Sequence, residues 1–190
     1  MQISIASGVG TGQTKMSAFD AALWDAGIAN FNLLKLSSVI PENSQITESK
    51  KLDIDPNKDF GKRLYVVLSE KRESEKGREA WAGLGWVQRE DGRGLFVEQE
   101  GAQKAEVIRL IKETLEDMTK TRNLKFGEIH YRTTGIRCED KPVCALVAAV
   151  YLVEDWVGVR TSKNPSNTAD LPLEKLDRYI SSELKKGEAV

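Results

Sequence analysis

The fold of this chain is decided by the stretch Asn32-Leu33-Leu34-Lys35-Leu36-Ser37-Ser38-Val39-Ile40-Pro41. Its first half is apolar and typical of a strand, and its proline stops regular strand pairing because proline has no N–H to donate. Between the two lies the pair Ser37-Ser38. Most serine pairs are turn or strand-end residues whose hydroxyls bond to nearby backbone groups. A serine pair after a strand is also a candidate site of self-cleavage.

The Ser38 hydroxyl has the chemistry that such a cleavage needs. It can attack the carbonyl of Ser37, which moves the acyl group from nitrogen to oxygen and leaves an ester in place of an amide. β-Elimination of that ester, followed by loss of ammonia, would convert Ser38 into a pyruvoyl group at a new N-terminus. A ketone of this kind condenses with a substrate amine and accepts electrons, which is the chemistry of amino-acid decarboxylation.

Four stretches, in matching order and spacing, resemble the pyruvoyl-dependent arginine decarboxylase family. The first surrounds the serine pair, from Asn30 to Pro41. The others resemble the family's first helix with its exit turn, the strand that presents its acid, and its last core strand: Ala18-Phe19-Asp20-Ala21-Ala22-Leu23 with Ala26-Gly27-Ile28, Phe96-Val97-Glu98-Gln99-Glu100-Gly101, and Cys144-Ala145-Leu146-Val147-Ala148-Ala149. The resemblance covers roughly residues 2–152, a whole domain and not one short pattern.

This resemblance implies an enzyme that decarboxylates L-arginine to agmatine and carbon dioxide. The substrate would form an imine with a pyruvoyl group made by self-cleavage between Ser37 and Ser38, so neither pyridoxal phosphate nor a metal is expected. Glu98 matches the family's proton donor, and Asn32 lines its cleavage site, where the amide could donate to the Ser37 carbonyl. The family also implies a homotrimer of processed chain pairs.

Asp20 matches the position where the family binds the guanidinium group of arginine. A carboxylate facing that planar fork of donors would select arginine over lysine or ornithine. Without the resemblance, Asp20 would be assigned to solvent, and so would Glu98 and Glu100, which strand alternation puts on one face. Two alternatives stay open: a pyruvoyl-dependent decarboxylase of another amino acid such as histidine, and an unprocessed, non-catalytic homologue.

The composition is that of a globular enzyme. With 190 residues and 40% hydrophobic content, the chain can build one well-buried core. Its 28 Lys+Arg against 29 Asp+Glu leave no basic field for nucleic acid. No targeting segment or bilayer-spanning run is evident, so we expect no membrane partner and a cytoplasmic protein. Two cysteines and one histidine are too few for a usual four-ligand zinc site.

The patterns along the chain predict an α+β fold, a layered sandwich of two β-sheets flanked by helices. One helix is predicted from about Met16 to Ala26, ended by Gly27, and a second over Lys104–Lys120, where apolar residues recur at helical spacing. Strands are predicted over the apolar or alternating segments Ile3–Ser7, Phe31–Leu36, Arg63–Ser69, Glu79–Val87, Gly94–Gln99, Lys125–Thr133 and Val143–Val153.

Three segments are predicted to lie outside this regular pattern. The glycine-rich segment 8–12 is expected to form a loop, and it lacks the glycine directly followed by Lys and Ser/Thr that binds nucleotide phosphates. Residues 42–60 are polar and loop-like. The resemblance divides the chain into a decarboxylase-like domain, 1–153, and a C-terminal extension, 154–190. The apolar face of that extension predicts an amphipathic helix, which we expect to dock rather than bind a partner.

Overall fold

The structure is a computed structural model that describes residues 1–49, 52, 55 and 58–156. These residues belong to one compact unit, Met1–Trp156. In chain order its elements are β1 (Gln2–Thr11), α1 (Lys15–Ala26), β2 (Asn32–Lys35), β3 (Val39–Ile40), β4 (Gln45–Glu48), β5 (Arg63–Glu73), β6 (Glu79–Gln88), β7 (Gly94–Gly101), α2 (Lys104–Arg122), β8 (His130–Arg137) and β9 (Val143–Glu154). The helix predicted in the C-terminal extension lies outside the described residues and stays a prediction.

The strands form two sheets that pack face to face. The first sheet has the order β2-β5-β9-β1-β4, and the second has the order β3-β7-β6-β8. β1 pairs with β4, and β2 with β5, in parallel, whereas the other neighbours are antiparallel. α1 covers the outer face of the first sheet and α2 the outer face of the second. This confirms the predicted α+β sandwich of two sheets flanked by helices.

The central strand β9 contributes to two cores at once. Val147 and Ala149 face the second sheet, whereas Leu146 and Ala148 face α1, and all four are fully buried. A continuous apolar run is typical of a strand covered on both faces. Burying a Val or Leu side chain contributes about 1.5–3 kcal/mol. The strand β9 therefore packs against α1 on one face and against the second sheet on the other.

Glycines in β1 let α1 pack directly on the strand. A Cβ added at Gly8 would lie 2.2 Å from the carbonyl oxygen of Ala22, and one added at Gly10 would lie 2.3 Å from that of Ala18. Only glycine permits so close an approach. The prediction of a loop over residues 8–12 was therefore wrong: β1 continues through Thr11, where it pairs with β9.

Both ends of α1 follow signals in the sequence. The Thr14 hydroxyl oxygen accepts from the Ser17 N–H at 3.1 Å, and the Ser17 hydroxyl oxygen accepts from the Thr14 N–H at 3.0 Å. This reciprocal capping satisfies two N–H groups that the first turn leaves without partners. At the other end, Gly27 adopts a left-handed conformation with φ of +76°. The predicted end of the helix is confirmed.

Two further strand predictions were wrong. The strand expected over Lys125–Thr133 lies at His130–Arg137, because the apolar Phe126 and Ile129 pack against the cluster under α2 instead of joining the ladder. β4 lies inside the region predicted to be a loop, at Gln45–Glu48. Its mostly polar residues give no apolar alternation, and its parallel pairing with β1 places it in the sheet.

Candidate active site

The pair Ser37-Ser38 lies where the chain crosses from one sheet to the other. Before the crossing, the Leu36 N–H donates to the Val66 carbonyl oxygen of β5 at 2.9 Å. After it, Val39 pairs with Leu95 of β7 in the second sheet. The serine pair therefore belongs to neither ladder, and each of its ends is fixed by a different sheet. Such a position holds a short segment at both ends without making it part of a strand.

Ser38 has two partners on β7. Its hydroxyl donates to the Glu98 carboxylate, with Oγ 2.7 Å from each carboxylate oxygen. Its carbonyl oxygen accepts a hydrogen bond from the Phe96 N–H at 2.8 Å. A hydroxyl bound to an ionised carboxylate at this distance is a short, charge-assisted donor. The carboxylate both orients the hydroxyl and offers a place for its proton.

Strand alternation explains why Glu98 reaches the serine. Leu95 and Val97 pack under α2, on the outer face of the second sheet, whereas Phe96 lies in the core between the sheets. Glu98, two residues after Phe96, shares this inner face and is half-buried. The structure thus brings together Ser38 and Glu98, which stand 60 positions apart in the sequence.

Tyr151 also lies at the site, and sequence analysis did not assign it a role. Its hydroxyl donates to the Val39 carbonyl oxygen at 3.0 Å, and its ring meets Phe96 edge to face, with centroids 6.2 Å apart. Burial, and then the nearby negative charge of Glu98, raise the pKa of the Tyr151 phenol. The only signal in the sequence is a phenol within a strand of small apolar residues.

Asn32 does not contact the serine pair within this chain. Its amide donates to the Gly61 carbonyl oxygen at 2.7 Å, and the Trp156 indole donates to the same oxygen at 2.9 Å. Asn32 is also separated from Leu36 by four steps of extended strand, about 13 Å. The donor to the Ser37 carbonyl that the resemblance implies is therefore not supplied by Asn32 of the same chain in this structure.

Asp20 is likewise separate from Ser38 within one chain. It is exposed on α1, which packs on the outer face of the first sheet through Ala18, Ala22 and Leu23. Ser38 reaches Glu98 on the opposite side of that sheet, in the space between the layers. A guanidinium held by Asp20 would thus not reach the serine of the same subunit.

Two open cavities on the surface lie away from the serine pair. Open cavities of about 660 and 530 Å³ lie where the β6–β7 turn and the end of α2 meet the segment Lys125–Gly127. Neither cavity is lined by Ser38 or Glu98. The candidate site is marked instead by the hydrogen bond between Ser38 and Glu98, where the chain crosses between the sheets.

Other kinds of site find little support in the described part of the chain. No three His, Cys, Asp or Glu side chains in it come together as metal ligands do. Its helices include none with the length and apolar character needed to span a bilayer. Cys138 and Cys144 are buried and unpaired, and burial raises the pKa of the Cys144 thiol to about 12. The Cys144 thiol is therefore not poised for nucleophilic chemistry.

Comparison with known proteins points to one family along most of the chain. The family model for pyruvoyl-dependent arginine decarboxylase matches residues 2–155. A Pyrococcus furiosus protein named pyruvoyl-dependent arginine decarboxylase is 34% identical over 142 residues, which cover 73% of this chain and 87% of that protein. A Methanopyrus kandleri protein of the same name is 34% identical over 149 residues, covering 77% and 93%. A Thermococcus kodakarensis protein of that name is 32% identical over 148 residues.

One solved structure also shows a partial similarity. It is a pyruvoyl-dependent histidine decarboxylase at pH 8, 12% identical, with a TM-score of 0.37. The match covers 47% of this chain and 50% of that one. At this level the similarity decides neither the fold nor the substrate.

Proposed function

Because the chain belongs to the pyruvoyl-dependent arginine decarboxylase family, we propose that it decarboxylates L-arginine to agmatine and carbon dioxide. The observation that carries this proposal is the contact of 2.7 Å between the Ser38 hydroxyl and the Glu98 carboxylate. It joins a serine in the candidate cleavage segment to the candidate proton donor. The pyruvoyl group that the family uses would come from Ser38 itself, without an external cofactor.

The surroundings of Ser38 fit such a group. Conversion of Ser38 would leave its carbonyl beside a ketone, and the Phe96 N–H already donates to this carbonyl at 2.8 Å. The next residue, Val39, pairs with Leu95, so a new N-terminus at residue 38 would remain anchored to the second sheet. Glu98 contacts the side chain that would be converted. These contacts support the proposal: the new N-terminus would be held by β7, its carbonyl would keep a donor, and a carboxylate would lie beside residue 38.

We propose that Glu98 takes part in self-cleavage as well. The Ser38 oxygen bonds to the Ser37 carbonyl carbon, the C–N bond between the two residues breaks, and the hydroxyl proton passes to the freed amine. Glu98 is placed to carry that proton. Elimination then removes the proton from the Ser38 Cα and releases residues 1–37 with a new carboxylate. Addition of water and loss of ammonia leave the ketone at residue 38.

The chemistry that a pyruvoyl group supplies is an electron-withdrawing ketone that binds a substrate amine. The residues of the chain then direct the protons and the charge. Glu98, freed from the serine hydroxyl, is placed to take up a proton from water and pass it to the carbon that carbon dioxide leaves. The Phe96 N–H stabilises negative charge that reaches the carbonyl of residue 38, as an oxyanion donor does.

Substrate recognition requires a second subunit in this proposal. Asp20 and Asn32 lie away from Ser38 of their own chain. We infer that they serve the site of a neighbouring subunit in a homotrimer of processed chain pairs, where Asp20 binds the guanidinium group and Asn32 donates to the Ser37 carbonyl. We also place the enzyme in the cytoplasm. The two buried free thiols are typical of a reducing compartment.

Release of carbon dioxide from arginine, lysine, ornithine and histidine tests the proposed activity. We expect arginine to be preferred, and Ser38→Ala to be inactive on all four substrates. A preference for histidine would contradict the arginine assignment, although the pyruvoyl chemistry would stand. If cleaved protein released carbon dioxide from none of them, the enzymatic function itself would be contradicted.

A further inference from the structure

Tyr151 forms a β-bulge in β9. In the ladder between β9 and β5, Val150 pairs with Val66 and Leu152 pairs with Tyr65, which leaves Tyr151 as an extra residue. A bulge bends the strand and re-aims the side chain that it carries, and bulges are frequent beside active sites. Here the extra residue leaves Tyr151 on the face that alternation from Ala149 gives it, and changes the face of the residues that follow, so that Val153 packs toward α1.

Tyr151 lies on the inner face of β9, in the space between the sheets, as Val147 and Ala149 do at alternate positions before it. Val150 before it and Val153 after it both pack toward α1, whereas Tyr151 packs against the core between the sheets. The inward residue that precedes it is small, Ala149. A large ring with a polar tip thus follows a row of small side chains, and it meets Phe96 edge to face with centroids 6.2 Å apart.

The two aromatic residues hold successive carbonyls of the cleavage segment. The Tyr151 hydroxyl donates to the Val39 carbonyl oxygen at 3.0 Å. The Phe96 N–H donates to the Ser38 carbonyl oxygen at 2.8 Å. Because Tyr151 lies on the first sheet and Phe96 on the second, the segment is held from both sides. The raised pKa of the phenol keeps Tyr151 protonated, and hence a donor, under ordinary assay conditions.

We propose that Tyr151 is a positioning residue for self-cleavage, an inference that rests on the proposed function. β3 has only the two residues Val39–Ile40, so its own ladder holds it weakly. The bond from Tyr151 fixes the peptide plane between Val39 and Ile40, and the Phe96 N–H fixes the plane between Ser38 and Val39. Together they restrict backbone rotation at Val39, and so help to hold Ser38 in one orientation relative to the Ser37 carbonyl. Attack within one chain depends on such alignment, since the reacting atoms must be held near contact distance.

Tyr151→Phe isolates the hydroxyl, because the ring and its packing remain. We expect purified Tyr151→Phe protein to cleave roughly two- to tenfold more slowly than wild type, the size expected from losing one hydrogen bond. Intact mass spectrometry over time after purification at low temperature would follow the loss of the full-length chain. Thermal unfolding of uncleaved samples, in a Ser38→Ala background, would measure stability separately.

Tyr65→Phe is a matched control. The Tyr65 hydroxyl of β5 donates to Glu154 of β9 at 2.9 Å. This variant therefore also loses one phenol hydrogen bond, but not one to the cleavage segment. We expect it to cleave at the wild-type rate with a comparable change in stability. Equal rates for Tyr151→Phe and wild type, or equal slowing of both variants, would overturn the positioning role. An uncut wild type would instead overturn the proposed function, and with it the step that Tyr151 serves.

Discussion

At the scale of the residue, Glu98 is unusual because its partner changes during the proposed reaction. It accepts the Ser38 hydroxyl before cleavage and faces substrate afterwards. Glu98→Gln keeps an oxygen that can accept the hydroxyl but has no acidic proton to give. We expect this variant still to cleave, more slowly than wild type, and to lose about 10²–10⁴-fold in decarboxylation rate. Intact mass measures cleavage, and carbon dioxide release measures decarboxylation. Decarboxylation by Glu98→Gln within a few-fold of wild type would remove Glu98 from the mechanism.

Sequence analysis could identify residues that carry a recognisable group within a resembling stretch. Ser38 and Glu98 are such residues, and the structure places them in contact. Phe96 was missed as a donor because the N–H that it provides is common to nearly all residues. Alternation from Ala149 puts Tyr151 on the inner face of its strand, but its bond to Val39 depends on how the two sheets pack and could not be predicted from the sequence. These two roles become visible only when the sheets are paired.

At the scale of the element, apolar periodicity located the helices and the longest strands, whereas packing partners decided the exceptions. The segment 8–12 has the composition of a loop, yet Gly8 and Gly10 lie in a strand, because the backbone of α1 occupies the space where their side chains would be. Phe126 and Ile129 have the pattern of a strand, but they cover α2 and the second sheet from a connecting segment. In both cases, contacts between residues far apart in the sequence determined the secondary structure, and the local pattern did not.

Gly8→Ala tests this account of β1. The new methyl group would lie 2.2 Å from the Ala22 carbonyl oxygen and 2.7 Å from the Ala26 nitrogen, so the helix must move. We expect a loss of about 1–3 kcal/mol in the free energy of unfolding, measured by urea titration. Gly127→Ala is the control, because its methyl group would meet only the Gln88 carbonyl oxygen, at 3.1 Å. Equal stability of Gly8→Ala and wild type would contradict the packing role.

At the scale of the whole molecule, the sandwich could be predicted because its helices and strands have clear periodicity, but the assembly of the site could not. The packing of α1 and of the second sheet on opposite faces of the first sheet puts Asp20 and Ser38 of one chain on different sides of it. The resemblance assigned both residues to one active centre. Asp20 and Ser38 can belong to one active site only if they come from two different subunits. Co-expression of two variants tests this.

Asp20→Asn should cleave normally and lose activity on arginine. An unpaired guanidinium in a partly desolvated site costs about 2–5 kcal/mol, a fall of roughly 30- to several-thousand-fold in kcat/KM. Ser38→Ala lacks the group that reacts but keeps Asp20. Co-expression of the two variants should restore part of the activity, because the proposed trimer, when mixed, would combine an intact Asp20 with a processed neighbour. A co-expressed pair as inactive as each variant alone would contradict the shared site.

The most direct test of the central claim is the intact mass of the purified protein under denaturing conditions. Self-cleavage at the crossing between the sheets predicts two chains, residues 1–37 and residues 38–190, the second with a pyruvoyl group in place of Ser38. Ser38→Ala should give a single full-length chain. A wild-type sample that remains one uncut chain after prolonged warm incubation would contradict the claim that this protein makes its own reactive group.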